Sequence, residues 1–145
     1  FMVERLIWDL DIHFKQSFSN FSKKKGRNMK FLNNWIDKIR TNDPNQVAEL
    51  YHKDGLLLGT FSEKERQGHE LILEYFEDLL KNRVDVKVIS EHKHETSSLV
   101  VNSGFYNFIL IDETIKARFS FVFKKSENKW KILSHHSSIV PEKDS

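Results

Sequence analysis

The chain has 145 residues, 39% hydrophobic and 30% charged, with a formal net charge of +2. That is one globular domain's worth of sequence, large enough to bury a core without staples. The absence of cysteine excludes a disulfide framework, a thiol nucleophile and a thiolate metal site, and fits a reducing, cytoplasmic setting.

Val3, Ile7, Leu10, Phe14, Phe18 and Phe21 recur at spacings of three and four, which predicts an amphipathic helix in an N-terminal extension, residues 1–28. Glu4, Arg5, Asp9 and Asp11 interrupt its apolar run, so it does not read as a signal peptide, and no stretch of the chain approaches the ~20 apolar residues of a membrane span. Lys23-Lys24-Lys25-Gly26-Arg27 reads as a solvated basic linker rather than a nucleic-acid stripe. The extension docks on its own domain, covers a neighbouring subunit, or is an adventitious upstream segment; the residues do not choose.

A compact domain is expected over residues 29–141, with a tail at 142–145. Phe31, Leu32, Trp35, Ile36 and Ile39 mark one face of a first helix that ends before Thr41-Asn42-Asp43-Pro44. Asp43 as N-cap and Pro44 at the first helical position start a second helix running to about His52. Asp54-Gly55 then predicts a turn into a short strand, Leu56–Thr60, followed by a polar loop, Ser62–Gln67. Leu71, Ile72, Tyr75, Phe76, Leu79 and Leu80 give a third helix a broad apolar face. Beyond Asn82 the period becomes two, predicting strands over Val84–Glu95, Ser97–Ile111, Thr114–Lys125 and Lys129–Ile139, joined by hairpin connections. Helices first and a meander last describe an α+β domain, with helices on one face of a curved antiparallel sheet. Both faces of that sheet carry apolar residues, for example Phe105 and Ile109 opposing Tyr106 and Phe108. The helices cover one face, so a second copy of the chain is expected on the other, as a homodimer.

In strict alternation the last strand puts Trp130, Ile132, Ser134, His136 and Ser138 on one face and Leu133, His135 and Ser137 on the other. A face that begins apolar and turns polar predicts a strand half in a core and half in a pocket. Arg118 lies inside a strand of phenylalanines; a buried arginine needs a partner, so it either pairs with an acid such as Glu77, Asp78 or Glu113 or takes an anion in a cavity. His136 has the chemistry of a general base or a ligand donor. His92 and His94 share a strand face that His135 approaches from elsewhere, which is a thin basis for a metal site without a carboxylate motif, and none is expected. Ser137 and Ser138 lack a nucleophile elbow, so a serine triad is not expected.

Taken in order, Asp54-Gly55, Thr60-Phe61-Ser62 with Arg66 and Gly68, Tyr75-Phe76, Gly104-Phe105-Tyr106, Ala117 through Phe123, and Trp130-Lys131-Ile132 running to His135-His136-Ser137-Ser138 and Pro141 resemble the nuclear transport factor 2-like superfamily. The nearest groups are the SgcJ/EcaC-like proteins and the calcium/calmodulin-dependent protein kinase II association domain, over roughly residues 29–141. The resemblance implies a cone of curved sheet closed by three helices around an internal pocket. In this sequence Trp35, Tyr51, Phe76 and Tyr106 would form its apolar wall, Arg118, His136 and Ser138 its polar end, and Arg66 its rim. Arg118 is offset from the arginine of the kinase domain's equivalent strand, so its role follows the SgcJ/EcaC-like group. Those proteins are often labelled oxidoreductases, but no G-x-G-x-x-G fingerprint is present and no cofactor is expected. The expected function is a homo-oligomeric domain binding a small anionic or polar-ended ligand. Two alternatives stay open: a cofactor-independent isomerase, dehydratase or cyclase with His136 as base and Arg118 or Tyr106 stabilising negative charge, and a purely structural association module.

Overall fold

The computed structural model describes residues 30–142. The extension expected at 1–28 and residues 143–145 of the tail lie outside the described residues. The chain divides between Asn34 and Trp35 into two units; the described part of the first is residues 30–34, the opening of helix α1 (Phe31–Arg40).

Trp35, Ile36 and Ile39 of α1 are buried, as their spacing predicts. The chain leaves α1 through Asn42 in the left-handed region (φ 61°). Asp43 then caps α2 (Pro44–Ala48), its carboxylate accepting from the Asn45 N–H at 3.0 Å. The helix stops well short of His52, because Tyr51 already belongs to strand β1 (Tyr51–Leu58). Asp54-Gly55 is therefore not a turn but part of a bulge within β1. Tyr51 lies opposite Ile132 and Leu56 opposite Ser134, so β1 uses five residue steps where its neighbour uses two. The expected polar loop ends in strand β2 (Glu65–Gln67), antiparallel to β1. Helix α3 (His69–Leu79) buries Ile72, Tyr75 and Phe76 and packs on β1 and β2.

The predicted meander follows as β3 (Asp85–Glu95), β4 (Leu99–Ile109), β5 (Thr114–Ser126) and β6 (Lys129–Ile139). With β1 and β2 it forms one six-stranded sheet in the order β2-β1-β6-β5-β4-β3. All neighbours are antiparallel except β1 and β6. The class is α+β, as expected, with a curled sheet. Bulges at Ile89 in β3 and Leu133 in β6 add local twist and help to curl it. The last strand thus sits inside the sheet, between β1 and β5. No helix among the described residues is long and apolar enough to cross a membrane.

Candidate functional site

The bulge in β6 decides which of its polar residues face inward. Ile132 pairs with Phe123 and Ser134 with Val122, leaving Leu133 as the extra residue. A one-residue insertion reverses every later side chain. His135 and Ser137 therefore follow Ile132 into the core, 2% and 4% exposed, while His136 and Ser138 turn to the other face. This corrects the orientation expected from strict alternation. Arg118 is also outward and exposed, opposite Phe105 on β4 and Ser138 on β6. Arg118, His136 and Ser138 are thus neighbours, as expected, but on the outer face rather than inside the sheet. Among the described residues none of the proposed acids pairs with Arg118.

The expected apolar wall also needs correction. Trp35, Tyr51, Phe76 and Tyr106 are each at most 1% exposed, whereas rings lining a water-sized cavity would show surface to it. They are packed against one another and their neighbours instead. Trp35 stacks with Tyr106 at a centroid distance of 6.0 Å and meets Phe121 edge-on at 5.3 Å, and Phe121 stacks on the His135 imidazole at 3.8 Å.

Polar atoms run through this aromatic core as one chain of hydrogen bonds. Trp35 Nε1–H donates to the Tyr51 hydroxyl at 3.1 Å, which lies 2.8 Å from His135 Nδ1. On the other side of the imidazole, Nε2 is 3.1 Å from the Tyr106 hydroxyl. Tyr106 donates to Ser137 Oγ at 2.7 Å, and Ser137 Oγ is 2.5 Å from Thr60 Oγ1. Burial lowers the His135 pKa to about 3, with repulsion from His136 adding to it, so the ring is neutral at physiological pH. Burial likewise raises the pKa values of Tyr51 and Tyr106, keeping both phenols protonated.

The chain surfaces at Thr60, which is half-buried and lines an open groove of about 340 Å³. The groove opens where β1 parts from β6 after the Leu58–His136 pairing. One side is the segment Leu58–Thr60 with Ser62–Glu65, and the other is His136–Ile139. Of the residues expected to bind ligand, His136 and Ser138 border this groove. Thr60, His135 and Ser137 were not among those expected.

Known proteins place this geometry in a family. The profile of the calcium/calmodulin dependent protein kinase II association domain matches residues 24–141. A structure described as a candidate association domain of this kind, from Xanthomonas campestris, is 34% identical with a TM-score of 0.74, covering 77% of this chain and 84% of its own. The chain belongs to the association-domain family. The nuclear transport factor 2-like fold is shared more widely. A superfamily protein from Salmonella enterica aligns with a TM-score of 0.70 at 18% identity over 86% of this chain and 96% of its own. A candidate ketosteroid isomerase from Parabacteroides distasonis aligns with a TM-score of 0.63 at 23% identity over 72% and 80%. No curated protein matches the chain.

In this association domain Arg66 is a clamp rather than a rim residue. It is 8% exposed, and its guanidinium donates to Glu74 at 2.6 Å, to the Leu71 carbonyl at 3.0 Å and to Ser62 Oγ at 3.3 and 3.4 Å. It also lies over the Tyr75 ring, 5.7 Å from the centroid. Hydrogen bonding to Arg66 holds the Glu74 carboxyl below its usual range. Arg66→Ala is expected to lower stability by about 2 kcal/mol in urea denaturation, mostly through the lost bonds to Ser62 and Leu71 and the lost packing on Tyr75, because Glu74 is largely solvated. Arg66→Lys should recover little, since an ammonium lacks the fork that spans these three acceptors. The three-histidine arrangement does not form: His92 and His94 are exposed on β3 while His135 is inside. Among the described residues no three potential metal ligands cluster.

Proposed function

We propose that this association domain is a cytoplasmic self-associating module whose copies meet through the outer face of the sheet. The observation that carries this reading is the composition of that face. Leu99, Val101 and Phe105 on β4 are 38%, 37% and 44% exposed, beside half-buried Val122 on β5. Between Val101 and Phe105 on the same face, small Ser103 hydrogen-bonds to Ser120 of β5 at 2.7 Å. Apolar side chains around small ones, with Arg118 beside Phe105, have the make-up of an interface centre. An antiparallel sheet left in water usually keeps its outer face polar. Phe105 is directly opposite Arg118, whose aliphatic stem adds contact area. Sedimentation equilibrium tests this. The parent should be a dimer or larger at micromolar concentration, and Phe105→Asp should weaken association at least about thirtyfold without changing the fold. A monomeric parent would sink the proposal.

The groove supports a second, compatible reading, a site for a small polar-ended ligand, because polar Thr60, Ser137 and His136 converge there beside apolar Leu58 and Ile139. The anionic form of that ligand leaned on Arg118, which faces away. The enzymatic alternative keeps His136 at the groove as a base but loses Arg118 and Tyr106 as stabilisers of negative charge, one exposed elsewhere and the other sealed in the core.

A further inference from the structure

The hydrogen-bond chain has a direction, which follows from counting protons. Trp35 Nε1–H is a donor only, so Tyr51 accepts from it and gives its single proton to His135 Nδ1. A neutral imidazole that accepts at Nδ1 carries its proton on Nε2, and the Tyr106 hydroxyl accepts that proton. Tyr106 passes its own proton to Ser137. Ser137 is 4% exposed, and among the described residues Thr60 Oγ1 is the remaining partner of its hydroxyl. Only if Ser137 donates to Thr60 does every buried proton in the chain have an acceptor. The Thr60 proton is then the one left over, and Thr60 lines the groove. Successive bonds in one direction polarise each other, so the last O–H is a better donor than an isolated threonine.

The groove's charges restrict what accepts that proton. Its loop offers one ammonium, Lys64, against two carboxylates, Glu63 and Glu65, a local balance of −1 that disfavours an anion. Leu58 and Ile139 supply apolar surface for the rest of a ligand. We infer that the groove takes an uncharged ligand through a carbonyl oxygen, an amide or ketone, that accepts a hydrogen bond from Thr60 Oγ1. This rests on reading the groove as a ligand site. Tyr106 is then a positioning residue that sets the direction of the Thr60 hydroxyl without touching the ligand.

Amide NMR titration of the full chain with benzamide, benzoate and benzylamine tests the inference, since the three share a ring and differ in the polar end. Benzamide should shift the backbone amides of Thr60, Lys64 and Ser138 and bind about tenfold more tightly than benzoate. Thr60→Val, which keeps the shape and removes the hydroxyl, should weaken benzamide about tenfold, and Thr60→Ser should restore most of it. Tyr106→Phe removes both the acceptor for His135 Nε2–H and the donor to Ser137. It should weaken benzamide about threefold in the parent but not in the Thr60→Val background, whereas a merely structural role would weaken both alike. Equal or tighter binding of benzoate or benzylamine, or indifference of benzamide to Thr60→Val, overturns the carbonyl inference and leaves the groove a ligand site. Silence at those amides with all three probes overturns the groove reading itself, and the inference with it.

Discussion

Lowering the pH from roughly 7.5 to roughly 5 is expected to cost this domain about 2 kcal/mol of folding stability through His135 alone. The imidazole is 2% exposed, with Phe121 stacked on its face at 3.8 Å and Trp35 edge-on at 5.3 Å. Its folded pKa is lowered from 6.5 to about 3, first by burial and then by His136. The sign follows directly. Below 6.5 the unfolded chain takes up a proton at this position, and the folded chain refuses it until pH approaches 3. Stability contributed by neutral His135 is therefore complete above 6.5 and falls by about 1.4 kcal/mol per pH unit between the two values. Other groups titrate over the same range, so the measurement is a difference. Urea midpoints of the parent and of His135→Gln are compared from roughly pH 8 to 5, and the parent should lose about 2 kcal/mol more than the variant. The variant should already be weaker at neutral pH, because it disturbs the bonds to Tyr51 and Tyr106, but that offset does not alter the slope. Parallel pH profiles would show that His135 protonates in the folded state without penalty.

Local sequence carries the parts of this fold that depend on local physics. The apolar face of α1, the Asp43-Pro44 start of α2 and the β3–β6 meander all follow from side-chain period, capping and turn chemistry. What local sequence does not carry is register. Leu133 is an ordinary strand residue, and nothing beside it announces that Ile132 and Ser134 will pair with consecutive residues of β5. That single step turns His136 and Ser138 outward and brings His135 and Ser137 in. Asp54-Gly55 has the same ambiguity, because glycine serves a bulge as readily as a turn; only the parallel pairing of β1 with the distant β6 decides between them. β2, with three residues, is too short to show any period. Trp35, Tyr51, Phe76 and Tyr106 were legible as inward-facing rings, but whether space remains between such rings depends on packing, which no pattern of residue types expresses.

Gly104→Ala is expected to be the most damaging single-methyl substitution among the sheet glycines, costing about 3 kcal/mol in chemical denaturation. Gly104 pairs with Glu91, next to the point where β3 bulges at Ile89. A Cβ there would lie 2.0 Å from the Ser90 carbonyl oxygen, 2.7 Å from its carbon and 3.0 Å from Glu91 Cα. All three are backbone atoms, so relief requires β3 and β4 to separate rather than a side chain to turn. Gly55 offers a graded comparison. Its Cβ would meet the Ile132 oxygen at 2.9 Å and the His52 oxygen at 3.0 Å, a milder clash at the β1 bulge. Gly55→Ala should therefore cost less, about 1–2 kcal/mol. The reverse order would mean that the β3 bulge yields more readily than β1 leaves β6. Separation at Gly104 also displaces Phe105, its neighbour on the outer face, while leaving that face's chemistry intact. If the face is where copies meet, Gly104→Ala should weaken self-association as well as stability, whereas Gly55→Ala should lower stability alone. Sedimentation of the two variants at equal folded fraction separates the cases, and unchanged association of folded Gly104→Ala would show that the interface tolerates a moved β4 or lies elsewhere.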